Sequence, residues 1–302
     1  MTQFKAWINA ARLRTLPLSI SGILIGAALA SFYGNSDAVI FWLAILTTVG
    51  FQITSNFAND YGDGIKGTDN QYRIGPKRAL QSGLLSKRAL KRGIVISIVI
   101  DVLLVVALLF FSFKWEELGW AIFFMLLGGL SIWAAIKYTV GENAYGYHGL
   151  GDVFVFVFFG LVSVLGSMFL FIKSIPAFSI LPAITIGLLS VGVLNLNNLR
   201  DHQSDKDSGK NTLIVKMGFA KGKLYHIILL LVAFLVLFIF INSTAENWWG
   251  YLSLLAFFPI TIHGIKVKRT KNPALLDPEL KKLALSAFLM AILFYFSYYN
   301  FL

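Results

Sequence analysis

The chain of 302 residues has no cysteine, only four histidines and little charge, 14% of its residues. Without thiols there is no disulfide, no thiol nucleophile and no thiolate metal centre. His148, His202, His226 and His263 stand at no metal-ligand spacing and read as interface or packing residues. A soluble domain carries roughly 25% charged residues. The shortfall excludes an ordinary soluble enzyme, a disordered tail and a coiled coil. No Gly-rich phosphate loop of the Walker type is present, which argues against an NTPase. Acids are scarcer than bases, 15 against 26, giving a net charge of +11. In a soluble chain that excess would suggest nucleic acid. Here it reads as basic loops holding membrane helices in place, with the bilayer as partner and no nucleic acid.

Apolar residues make up 57% of the chain, and mean hydropathy is +0.73. They fall in long runs, the mark of a polytopic membrane protein. Nine runs approach the ~20 residues that cross a bilayer core. They lie at 16–34, 38–57, 93–113, 118–138, 152–172, 177–198, 224–242, 248–266 and 283–301. One integral membrane domain over 1–302 is expected. Lys5, Arg12 and Arg14 precede the first run with no small-residue cleavage site soon after, so the first helix is expected to be retained.

Nine crossings put the termini on opposite sides. One side collects Lys5, Arg12, Arg14, Lys137 and the bases of the loops after the second, sixth and eighth runs. The other holds only Lys114 and Lys173, a split of 24 to 2. This places the N-terminus and the long loops in the cytoplasm and the C-terminus on the opposite side. Acid-rich segments follow the second and sixth runs, so both reach one face. Two four-helix units sharing a cavity would give this spacing.

The first segment runs Asn56-Phe-Ala-Asn59-Asp60-Tyr-Gly-Asp63-Gly-Ile-Lys66-Gly-Thr-Asp69. Asn56, Asp60 and Asp63 stand at i, i+4 and i+7, one face of a helix. The second runs Asn197-Asn198-Leu-Arg200-Asp201-His-Gln-Ser-Asp205-Lys-Asp207. Asn197, Asp201 and Asp205 stand at i, i+4 and i+8, again one face. Each helix end thus offers an amide and two carboxylates. Oxygen-only ligands suit a hard cation, and Mg²⁺ takes one or two carboxylates together with phosphate oxygens. Two facing clusters would hold Mg²⁺ around a diphosphate, with Asp60, Asp63, Asp201, Asp205, Asn56 and Asn197 as ligands. Lys66, Arg73, Lys77, Arg78, Arg200 and Lys210 would neutralise the remaining phosphate charge. The plainer reading is solvated loop acids paired with neighbouring bases. Against it, six of the fifteen acids fall in two matched clusters.

With its motifs Asn59-Asp60-x-x-Asp63 and Asp201-x-x-x-Asp205, the chain resembles the UbiA superfamily of intramembrane prenyltransferases. Within it, the 1,4-dihydroxy-2-naphthoate polyprenyltransferases are most similar. The carrying segments are Arg12-Leu-Arg14-Thr-Leu-Pro17, Asp60 through Asp69, Tyr145-Gly-Tyr147-His-Gly-Leu-Gly151-Asp152, and Asn197 through Leu213. The resemblance implies an all-α bundle of nine transmembrane helices around a central cavity, in a bacterial cell membrane. It implies transfer of a polyprenyl group from its diphosphate to a dihydroxynaphthoate, with loss of CO₂ and with Mg²⁺ as cofactor. Asp60, Asp63, Asp201 and Asp205 would be catalytic through the metal.

Further candidates are single residues. Arg14 and Lys137 meet the acceptor carboxylate or the diphosphate, or else snorkel at the interface. Tyr138 is a substrate-side candidate of the same kind. Tyr145 and Tyr147 contact acceptor hydroxyls or belong to an aromatic belt. Asp152 faces its own helix dipole or deprotonates the acceptor phenol. Asp101 is an intramembrane acid with no motif partner. Two alternatives stand beside the main reading. One is a relative acting on 4-hydroxybenzoate or a tetrapyrrole. The other is a secondary transporter, which the gathering of acids at one membrane face disfavours.

Overall fold

The computed structural model describes residues 3–68 and 74–299, so Asp69 and Arg73 lie outside the described residues. Every regular element described is helical, and nine helices among them are long and apolar enough to cross a bilayer. A short α1 (Gln3–Ala11) leads into α2 (Leu16–Phe32). Then come α3 (Ala38–Lys66), α4 (Lys87–Ser112) and α5 (Leu118–Lys137). The next, α6 (Gly151–Ile172), winds as a π-helix from Phe156 to Gly166. A long α7 (Ile180–Asp207), a short α8 (Leu213–Met217) and α9 (Phe219–Thr244) follow. The chain closes with α10 (Phe257–Arg269) and α11 (Asp277–Tyr298).

All nine expected crossings are present, with ends that differ on one side. The run ending at 57 continues as α3 to Lys66, and the run ending at 198 continues as α7 to Asp207. The last helix starts at Asp277 rather than 283. Hydropathy measures the hydrocarbon thickness; a helix goes on for as long as its backbone bonds are met. Caps set the true ends. Asp37 accepts from the N–H groups of Val39 and Ile40 to start α3, and Ser86 accepts from Ala89 to start α4. Gly67, at φ 74°, ends α3 in the left-handed conformation.

Small residues set how closely the helices meet. Gly26 of α2 lies on α6, where an added Cβ would come within 2.6 Å of the Val164 carbonyl oxygen. Gly160 of α6 meets Gly187 of α7, where an added Cβ would stand 2.7 Å from the Gly187 Cα. Asp101 is buried in α4 and accepts from the Thr54 hydroxyl of α3 at 2.6 Å. The acid left unassigned by the sequence therefore joins two helices. Residues of α2 to α7 and α11 line the central cavities, whereas α9 and α10 contribute none and stand behind α7 and α11.

Candidate functional site

The extended ends of α3 and α7 converge on a polar cavity of about 580 Å³. Asp60 and Asp63 line it from α3, Asn197 and Arg200 from α7, and Lys210 from the loop beyond. Residues of α1 and the turn after it, the loop residues Lys77 and Arg78, and the first turns of α11 complete the wall. A second cavity of about 330 Å³ continues into the membrane-spanning region, walled mainly by apolar and small residues such as Phe51, Ala135, Phe158 and Leu170. Gln52, Asn59, Tyr138, Val155, Phe159 and Leu194 belong to both. Polarity therefore changes across one ring of side chains.

In the first motif, Asp60 is buried and accepts from Arg12 at 3.0 Å, from Arg78 at 3.2 Å and from the Ala79 backbone N–H at 3.1 Å. Arg78 also stands 3.6 Å from Asp63. The Tyr147 hydroxyl donates to Asp63 at 2.9 Å and shares a 2.6 Å hydrogen bond with Thr68. Lys66 lies over the Tyr147 ring, 3.9 Å from its centroid. Arg12 adopts φ 49°, ψ 57°, a left-handed conformation costly for a side-chain-bearing residue, and its hold on Asp60 supplies a compensating contact.

In the second motif, Arg200 donates to both oxygens of Asp201, at 2.9 and 2.5 Å, and to Asn197 Oδ1 at 2.9 Å. Its remaining terminal nitrogen reaches Asp277 of α11 at 2.6 Å. Lys210 is buried with Nζ 3.9 Å from Asp205. Burial alone would lower its pKa, but the carboxylates of Asp63 and Asp205 outweigh burial and hold the ammonium above its ordinary value. One cation thus ties the two motifs together. Tyr138 stands at the mouth between the cavities.

Each of the four motif carboxylates faces a cation: Arg12 and Arg78, Arg78, Arg200, and Lys210 in chain order of the acids. Among the described residues no three Asp, Glu or His groups stand close enough to hold a metal ion in this arrangement. The donor set is nevertheless that of a hard cation, carboxylate and amide oxygens only, with no competing sulfur or imidazole at the cavity wall.

The structure brings together Asp60, Asp63, Arg14, Arg78, Tyr138, Asn197, Arg200 and Lys210 on the polar cavity, with Asp201 and Asp205 held directly behind by Arg200 and Lys210. Other candidates go elsewhere. Asn56 was expected beside Asp60 as a ligand, but its amide nitrogen donates to the Ala11 carbonyl at 2.8 Å and to Thr15 at 3.2 Å. Its oxygen accepts from Gln52. Asn56 thus fastens the N-terminal segment, and Asn59 and Gln52 take the cavity wall. Asp152 accepts from Tyr225 of α9 at 3.0 Å and lines neither cavity. Lys137 is exposed, near Gly141, and lines neither cavity. Tyr145 donates to the Ala134 carbonyl, and its ring stacks on Phe154 at 3.8 Å in the apolar cavity wall. Tyr147 and Lys66 support Asp63 from outside that wall.

Sequence reasoning missed Arg12, Asn59 and Asp277 as site residues. Arg12 and Asn59 stood inside the quoted motifs, two residues before Arg14 and three after Asn56, the positions chosen. Asp277 was hidden because the last run was begun at 283; Asp277-Pro278 is a helix-start signature that hydropathy does not register.

Comparison with known proteins agrees with this arrangement. Residues 19–278 match the UbiA prenyltransferase family. The 1,4-dihydroxy-2-naphthoate octaprenyltransferase of Escherichia coli is 41% identical over 97% of this chain and 95% of its own. The Haemophilus influenzae protein of the same name is 43% identical over 97% and 95%. The Mycobacterium tuberculosis one is 34% identical over 85% and 84%. Among solved structures, a UbiA homologue from Aeropyrum pernix superposes with TM-score 0.66 at 16% identity, covering 91% of this chain and 97% of that one. A homologue from Archaeoglobus fulgidus bound to DMAPP and Mg²⁺ gives 0.62 at 14% identity, covering 93% and 98%. These two share the fold. Paired aspartate motifs on adjoining helix ends, a polar cavity opening into an apolar one, and full-length relatives lead to one conclusion: this membrane protein belongs to the UbiA prenyltransferase family.

Proposed function

We propose that the protein transfers a polyprenyl group from polyprenyl diphosphate to 1,4-dihydroxy-2-naphthoate, releasing diphosphate and CO₂ and forming the demethylmenaquinone skeleton. The observation that carries this reading is the junction at Asn59 and Tyr138, where a polar cavity lined by Asp60, Asp63, Arg78, Arg200 and Lys210, with Asp201 and Asp205 behind it, gives way to an apolar one. An amphiphile with a diphosphate head and a hydrocarbon tail matches that step in polarity. The names of the Escherichia coli, Haemophilus and Mycobacterium relatives support the acceptor.

Asp60, Asp63, Asp201 and Asp205, with Asn197, are the residues that would hold Mg²⁺. When bound, Mg²⁺ neutralises diphosphate oxygens and makes the group a better leaving group. Arg12, Arg78, Arg200 and Lys210 turn from carboxylates to phosphate oxygens as the head group enters. The bond from prenyl C1 to the diphosphate oxygen breaks, and the allylic cation forms on the apolar side, away from bulk water. The naphthoate ring carbon bearing the carboxylate attacks C1. The C–CO₂ bond then breaks and returns its electron pair to the ring. That step needs no base on the cavity wall, which agrees with Asp152 facing α9. Arg14, which lines the polar cavity, is the candidate partner for the acceptor carboxylate.

The membrane is the bacterial cell membrane, with the N-terminus and the aspartate-bearing helix ends cytoplasmic and the C-terminus opposite. The 24-to-2 division of basic residues supports this orientation. The deciding experiment offers radiolabelled polyprenyl diphosphate and Mg²⁺ to membranes, with 1,4-dihydroxy-2-naphthoate or 4-hydroxybenzoate as acceptor. Lipid product and CO₂ with the naphthoate alone is the expected result. Product with the benzoate alone overturns the acceptor.

A further inference from the structure

A buried polar cluster outside the site lies where α9, α10 and α11 meet. Its centre is Glu279 in the first turn of α11, 0% exposed. His263 of α10 donates through Nδ1 to one carboxylate oxygen at 2.8 Å. Lys266 of α10 and Lys282 reach the other at 2.9 and 2.8 Å. His263 Nε2 lies 3.0 Å from Nε2 of His226 on α9. Since Nδ1 of His263 serves the carboxylate, a neutral His263 accepts at Nε2 and His226 donates. The chain of contacts runs from α11 through α10 to α9, and none of it lines either cavity.

Burying a carboxylate with imidazole and ammonium partners adds little net stability over well-packed apolar residues. Such a cluster fixes geometry, and the geometry here has a use. Two residues before Glu279, on another face of the same helical turn, Asp277 accepts from Arg200. The adjoining residues Leu280, Lys281 and Ala284 line the polar cavity. The first turn of α11 is therefore held on one side by α10 and grips Arg200 on the other.

We infer that Glu279 is a positioning residue: anchored by His263 and Lys266, it sets the first turn of α11 so that Asp277 aims Arg200 at the diphosphate head group. The inference rests on Arg200 binding the diphosphate, as proposed above. The test is a double-mutant cycle on the full-length protein, with kcat and KM for polyprenyl diphosphate and for the acceptor measured separately. Glu279→Gln and Asp277→Asn should each raise KM for polyprenyl diphosphate about tenfold while kcat and the acceptor KM change less than about twofold. The double variant should be no worse than the worse single. His263→Asn, which loosens Glu279 from the other side, should show the same signature and carries the test if Glu279→Gln does not fold. Glu279→Asp, keeping the charge, should recover part of the loss. Effects of Glu279→Gln and Asp277→Asn that multiply, or that fall on kcat and both KM values alike, overturn the inference. So does an unchanged KM in Glu279→Gln beside a raised one in Arg200→Ala, and that outcome leaves the Arg200 assignment standing. An unchanged KM in Arg200→Ala removes both.

Discussion

Asp60 shows how much one side chain holds in this site. Buried, it accepts from two guanidiniums and from a backbone N–H among the described residues. Asp60→Asn keeps the shape and removes the charge. Turnover should fall roughly 10²-fold or more, in line with losing one preorganised electrostatic group. Asp201→Asn should behave likewise, and both variants should insert in the membrane at wild-type levels. A wild-type rate in either would refute the metal and phosphate roles given to the two motifs. Lys210 supplies a pH prediction. Its folded pKa is raised, so the stabilisation it gives is fully present below the ordinary lysine value near 10.4. It is lost only as pH rises through the higher folded value. Between pH 6 and 9, the stability difference between wild type and Lys210→Met should therefore be flat. A slope across that window, read from thermal unfolding in detergent, would contradict the assignment.

At the scale of elements, α6 and α7 meet through Gly160 and Gly187 with no room for a Cβ. Gly160→Val should force the helices apart, at a cost of about 1–3 kcal/mol by overpacking. It should lower the unfolding midpoint while all polar site residues remain. A midpoint equal to wild type would show that the π-helical stretch absorbs the added bulk. The sequence disclosed the crossings here because hydropathy reports length in hydrocarbon directly. It also disclosed the motif faces, since i, i+4 spacing survives into any helix. It could not choose between Asn56 and Asn59, which stand about 60° from each other's side of α3 once three residues of twist are counted. That choice depends on the N-terminal segment, whose Ala11 carbonyl and Thr15 claim the Asn56 amide. Nor could spacing pair His226 with His263 and Glu279, because these come from three helices brought together only by tertiary packing.

For the whole molecule, chelation should abolish prenyl transfer and added Mg²⁺ should restore it, measured in the membrane assay. Full activity in excess chelator would contradict the proposed cofactor. A wider consequence follows from the resting pairs Arg12–Asp60, Arg78–Asp63, Arg200–Asp201 and Lys210–Asp205. The protein carries its own counterions. On the proposed function, loading a magnesium diphosphate would be an ion exchange, in which the carboxylates would trade internal cations for metal and those cations would trade carboxylates for phosphate. Little net charge is drawn from solution, so affinity should depend only shallowly on ionic strength. Once diphosphate had left, the same arginines and lysine would return to the aspartates, and the emptied cavity would reset without a cluster of repelling anions.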